Sequence, residues 1–204
     1  HAGGIVTPLD LKEGLLAAAR RHGLAAHLDG ARIFNAAAAL STPVADLARG
    51  FDTVMFSLSK GLGAPIGSML CGKADLMREA RVVRKRMGGA MRQVGILAAA
   101  GLVALVRHTD RLHEDHARAG RLAAALLELP AFRVDRAAVR TNILIAEVVL
   151  PATGEGILSG LKHRGILAGG MGRGRVRFVT HLDVDDRGID RAIRALREVG
   201  GAAA

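Results

Sequence analysis

Between Leu9 and Cys71 the chain alternates helical and strand-like segments, and this alternation limits the fold more than any other feature. Leu9 to Arg21 has apolar residues at helical spacing and Gly23 as a stop signal. Leu24 to Leu28 reads as a short buried strand that delivers Asp29 at its C-terminal end. Ala31 to Leu40 is helix-prone and is broken by Ser41-Thr42-Pro43. Phe51 to Leu58 reads as the next strand, leading to Lys60, and Gly67 to Cys71 as a third. Helix, strand, helix, strand is the order of a mostly parallel sheet covered by helices. Ligands of such sheets collect at the carboxyl ends of the strands. Asp29 and Lys60 are both expected at that edge.

Beyond this region, Val94 to Leu129 is helix-prone with a break near His108 to Asp110, and its first part, Ile96 to Leu105, is apolar nearly all round. That first part is expected to be buried. Asn142 to Leu150 and Arg175 to Thr180 are strand-like, while Gly156 to Arg164 and Asp186 to Val199 are helical. Gly170, Gly172 and Gly174 are spaced like a phosphate loop but have no helix directly after them, so a turn before the Arg175 strand is expected. The expected class is α/β. Residues 1–108 form part of a large domain with the mostly parallel sheet, and residues 109–204 a small C-terminal α+β domain.

The chemistry lies in two side chains. Lys60 sits in Ser59-Lys60-Gly61-Leu62-Gly63-Ala64-Pro65, between a core strand and a flexible glycine-rich loop. A partly desolvated amine there loses its proton more easily and can form an imine with an aldehyde. Asp29, in His27-Leu28-Asp29-Gly30-Ala31-Arg32, offers a carboxylate to a pyridinium nitrogen. These are the protein groups that pyridoxal phosphate chemistry most needs. Simpler roles exist beside these: Lys60 as a surface lysine after a strand, Asp29 as a helix N-cap, Arg32 and Arg177 as structural ion-pair residues, His27 and His181 as hydrogen-bonded structural residues.

Charge and cysteine usage narrow the field. The formal net charge is +10, dense in the stretch from Arg78 to Arg86. With no Trp or Tyr and five Phe, the chain lacks the aromatics that stack on bases, so nucleic-acid binding is not expected and this stretch reads as a solvated or subunit-facing helix surface. No apolar run approaches the roughly 18 residues of a membrane span, and no leader pattern opens the chain, so a cytoplasmic location without membrane attachment is expected. The lone Cys71 excludes an intrachain disulfide, and its place in a strand-like segment predicts a core thiol. No metal site is expected.

The two site motifs, with Gly88-Gly89-Ala90-Met91-Arg92-Gln93 and Val176-Arg177-Phe178-Val179-Thr180-His181, resemble those of the L-threonine aldolases in order and spacing. The resemblance runs through nearly all of the chain. It implies a pyridoxal phosphate enzyme of the aspartate-aminotransferase fold type (fold type I) that cleaves L-threonine or L-allo-threonine to glycine and acetaldehyde. By motif, Lys60 would hold the cofactor, Asp29 would pair with its ring nitrogen, and Arg32 would lie near its phenolic oxygen and the substrate carboxylate. Arg177 would add a second, bidentate grip on that carboxylate, and Arg92 is an anion-binding or subunit-contact candidate. A small β-hydroxy-α-amino acid and further copies of the chain, arranged as a dimer of dimers, are the implied partners.

The chain also departs from the family pattern. The family's loop that cradles the cofactor phosphate and its ring-stacking histidine have no counterpart here, so the chain reads as the C-terminal portion of a longer protein. A family histidine proposed as a base lies just ahead of the segment matching Ala2-Gly3-Gly4, and His1 is close to that place without aligning to it. Ala90 stands where the family has glycine, and its methyl group disfavours left-handed backbone angles. Another lyase of the same fold type, and a non-catalytic chain that only folds and associates, remain alternatives.

Overall fold

Local signals set the first helix. In the computed structural model, which describes residues 3–201, α1 spans Leu9–Arg21, as its apolar spacing predicts. Asp10 in its first turn and Arg20 and Arg21 in its last suit the helix dipole. The next strand is shorter and later than predicted: β1 is His27–Asp29, and Leu24 is exposed. The Leu24 N–H is turned back to the Ala19 carbonyl at 2.9 Å to close α1, so it is not available to a ladder. Pairing begins only at His27, opposite Thr53.

The chain divides into two units, Thr7–Leu112 and His1–Val6 with His113–Ala204. In the unit of residues 7–112, β1 is followed by α2 (Ile33–Leu40), α3 (Val44–Ala48), β2 (Thr53–Ser57), β3 (Ser68–Gly72), α4 (Ala74–Arg86) and α5 (Gly95–Arg107). The sheet order is β1-β2-β3, with β1 parallel to β2 and β3 antiparallel to it. One buried cluster gathers Ile33, Leu47 and Val54; a second gathers Leu58, Leu62, Ala64, Ala104 and Leu112. Phe34 and Phe56 pack against both clusters and meet edge to face, with ring centroids 5.3 Å apart, within the range favoured by aromatic pairs.

Two burial expectations are corrected here. Ile96, Leu102, Val103 and Val106 on α5 are exposed; only Gly101 and Ala104 are buried, along the stripe that meets Leu58. Cys71 is exposed as well, because β3 is exposed along its whole length and, among the described residues, pairs with β2 alone. The basic helix α4 carries no buried residue.

In the other unit, α6 (Leu112–Leu127, starting at the division) leads to β4 (Phe132–Arg133), a short 3-10 turn, and β5 (Ile143–Val148). Then follow α7 (Gly154–His163), β6 (Gly169–Gly170), β7 (Arg175–Val179) and α8 (Asp186–Gly201). The sheet is antiparallel in the order β4-β5-β7-β6. Leu144, Ala146, Val176 and Phe178 alternate inward along β5 and β7 and are buried with Leu126, Leu161, Ile189 and Leu196 from the helices. Thr153 caps α7 by accepting the Gly156 N–H at 3.1 Å. The glycine segment before β7 is the β6–β7 turn, with Gly172 and Gly174 at φ +67° and +69°.

Candidate active site

Parallel pairing sends the carboxyl ends of β1 and β2 to one edge. Asp29 is the last residue of β1, opposite Met55, and Lys60 lies three residues beyond the end of β2. The segment after Asp29 stays on β2: Gly30 donates to the Met55 carbonyl at 2.8 Å and Ser57 to the Ala31 carbonyl at 3.4 Å. Asp29 Oδ1 accepts the Ala31 N–H at 3.2 Å. It is not the cap of α2, because that helix starts at Ile33 with Arg32 as its N-cap residue. Arg32 is half-buried, three residues past Asp29.

Lys60 is exposed rather than partly desolvated, and its loop is tied down rather than flexible. Gly63 donates to the Lys60 carbonyl at 2.9 Å, Ala64 to the Leu58 carbonyl at 3.0 Å, and Leu58 to the Gly67 carbonyl at 2.9 Å. Among the described residues neither Asp29 nor Lys60 takes part in an ion pair.

Arg177 belongs to the other unit, on the central strand β7, opposite Ile145 and Gly169. Buried Val176 and Phe178 flank it, so strand alternation turns Arg177 to the opposite face from theirs, half-buried. Among the described residues it too makes no ion pair. Gly3 approaches that face: a Cβ there would lie 3.0 Å from Ile145.

The other candidates separate clearly. His27 is exposed and pairs across the ladder with Thr53 Oγ1 at 2.8 Å through Nδ1. His181 Nδ1 accepts the Asp183 N–H at 3.3 Å. Arg92 is exposed. Ala90 causes no backbone conflict, since the left-handed residues of its segment are Gly88 and Gln93. His1 lies outside the described residues.

Two residues beside the lysine loop escaped sequence reasoning. Asn35 is 2% exposed on α2, and a Cβ at Gly61 would come within 2.8 Å of its Oδ1. An asparagine inside the apolar run Ile33 to Leu40 was the available signal. His108, half-buried after α5, has Nδ1 2.6 Å from the Leu62 carbonyl. Its sequence gave no signal beyond its place at a helix end.

The profile of the beta-eliminating lyases matches residues 1–148. The chain belongs to this family. A curated relative of this beta-eliminating lyase family chain, low-specificity L-threonine aldolase 1 of Arabidopsis thaliana, is 40% identical over 186 residues, covering 90% of the chain and 52% of the relative. The low specificity L-threonine aldolase of Escherichia coli O157:H7 is 41% identical over 184 residues, 89% of the chain and 53% of that protein. The chain thus spans about half the length of these curated relatives. A crystal structure from Listeria monocytogenes EGD-E, described as an L-allo-threonine aldolase, superimposes with a TM-score of 0.80 at 18% identity, covering 97% of the chain and 58% of that protein. The lyase-family chain therefore has the fold of the pyridoxal phosphate enzymes of fold type I.

Proposed function

We propose that the protein represented by this chain is an L-threonine aldolase, cleaving L-threonine or L-allo-threonine to glycine and acetaldehyde with pyridoxal phosphate. One observation carries the reading. An amine, Lys60, and a carboxylate, Asp29, stand at the same edge of adjacent parallel strands, and among the described residues neither takes part in an ion pair. That donor set fits pyridoxal phosphate, which needs an amine for its aldehyde and an anion for its ring nitrogen.

When bound, the cofactor supplies an electron sink for the bond broken at the substrate α-carbon. Lys60 would hold it covalently, and Asp29 would keep its ring nitrogen protonated. Arg32 would lie beside the phenolic oxygen and share the substrate carboxylate with Arg177. A guanidinium suits that task because its planar fork meets both carboxylate oxygens and so fixes orientation as well as binding. Orienting the carboxylate sets which α-carbon bond stands across the ring, and that choice separates an aldolase from another lyase. The reading places the protein in cytoplasmic amino-acid metabolism as a homo-oligomer. Among the described residues no helix is long and apolar enough to cross a membrane.

The test mixes the 204-residue chain with pyridoxal phosphate, follows visible absorption, and fixes any adduct by borohydride reduction. The expected result is a reduced adduct on Lys60, absent from Lys60→Ala and weakened in Asp29→Asn. Threonine is then supplied, and glycine with acetaldehyde is the expected product pair. Pyruvate or ammonia in their place would assign a different lyase. No adduct in a folded chain would leave it non-catalytic.

A further inference from the structure

We infer that His108 is a positioning residue for Lys60, acting through the carbonyl of Leu62; the inference rests on the role proposed for that lysine. The loop from Leu58 to Gly67 closes on itself through backbone hydrogen bonds, but these alone do not orient it on the rest of the unit. Orientation comes from two outside elements. On one side Gly61 lies so close to Asn35 of α2 that a Cβ would meet its Oδ1 at 2.8 Å and Leu112 Cδ2 at 3.3 Å. Asn35 lies three residues past Arg32 and six past Asp29, so the helix that follows the acidic motif also braces the residue next to Lys60.

On the other side stands His108. It is the C-cap residue of α5, and its own N–H donates to the Ala104 carbonyl at 3.0 Å. Ala104 is fully buried in the cluster that contains Leu58 and Leu62, so the helix end is fixed against the loop. Its Nδ1 lies 2.6 Å from the Leu62 carbonyl oxygen, across 46 residues of sequence. A carbonyl only accepts, so Nδ1 must carry the proton and donate. The bond is part-buried, between the half-buried His108 and Leu62, which is 2% exposed, so water competes for it less than at an open surface. A glycine-flanked loop has many accessible conformations, and a part-buried bond from a fixed helix end to Leu62 restricts them. His108 touches no reacting group. Its effect is to hold the backbone from which the Lys60 amine extends.

Three variants separate the donor from the ring. His108→Asn places an amide N–H where Nδ1 stands, His108→Gln places it one carbon farther out, and His108→Phe keeps a ring without a donor. Hydrogen exchange of the Gly63 and Ala64 amides is measured on the full 204-residue chain, alongside competitive acetylation of its five lysines, with exchange in α8 as the control for folding. His108→Phe should accelerate loop exchange roughly 3- to 10-fold, the span corresponding to one net hydrogen bond. It should also change the labelling of Lys60 relative to Lys12 and Lys162. His108→Asn should restore both readouts, and His108→Gln should not. Unchanged loop exchange in His108→Phe would overturn the inference, as would His108→Asn behaving like His108→Phe. Failure of the wild-type chain to form a Lys60 adduct with pyridoxal phosphate would count against the proposed function, while loop exchange and amine labelling would still decide the role of His108.

Discussion

Gly30 donates its N–H to the Met55 carbonyl at 2.8 Å, and a Cβ added to Gly30 would stand 2.9 Å from that same oxygen. The absence of a side chain at Gly30 thus lets the end of β1 lie flat on β2 and keeps Asp29 in the ladder. In Gly30→Ala the methyl group would meet backbone on one side and Ile33 Cβ, 3.2 Å away, on the other. Neither can swing aside as a flexible side-chain end could. We expect a loss of about 1–3 kcal/mol, the usual cost of overpacking, read as a lower urea midpoint at unchanged slope. Wild-type stability in the variant would show that the strand pair yields more easily than this geometry implies.

What could be read in advance followed the range of the interactions involved. The bounds of α1 were legible because its apolar spacing and the Gly23 stop lie within the helix or just beyond its end. The start of β1 was not, since the competitor for the Leu24 N–H was a helix carbonyl and the first ladder partner lay at Thr53. The common edge of Asp29 and Lys60 followed from element order alone. Asn35 and His108 stayed hidden because their meaning depends on Gly61 and Leu62, far away along the chain. The apolar pattern of α5 records a tendency to leave water and carries no record of what would cover Ile96 or Val106.

The exposure of Cys71 gives a direct check on that point. A core thiol reacts with an aromatic disulfide reagent only after unfolding, whereas one on an exposed strand reacts in the native state. The expected outcome is one equivalent of thiol released without denaturant, since Cys71 is the lone cysteine. Release only on addition of denaturant would show that β3 is covered in solution, most simply by another copy of the chain.

In the other unit a buried polar junction makes a separate demand. Thr180, 2% exposed, donates its hydroxyl to the Asp115 carbonyl at 2.6 Å, and its own carbonyl accepts Asn142 Nδ2 at 2.7 Å. This ties the end of β7 to the first turn of α6 and to the residue before β5. Thr180→Val keeps the volume but removes the donor, and should destabilise by about 1–3 kcal/mol. Thr180→Ser retains the donor and should recover most of that loss in thermal unfolding. Equal loss in both variants would assign the effect to packing of the methyl group.

Acid should destabilise this unit before its carboxylates titrate. Burial pushes the His116 pKa below 6.5 and His113 adds to the push, while Asp115 opposes it. Between that lowered value and 6.5 the unfolded chain binds a proton at this site that the folded chain refuses, so stability rises with pH through the window. The contribution is complete above 6.5, declines as pH falls toward the folded value, and is level below it. Asp186 acts in a separate, lower window. Its hydrogen bond from Arg118 lowers its pKa from 3.8, so the stability it adds is present above 3.8 and is lost as pH falls through the folded value. Thermal unfolding at about pH 7.5 and about pH 5 tests the histidine step apart from the carboxylate one. The wild-type midpoint should fall across this interval, and His116→Gln should show a smaller fall. An equal fall in the two proteins would place the acid sensitivity elsewhere in the chain.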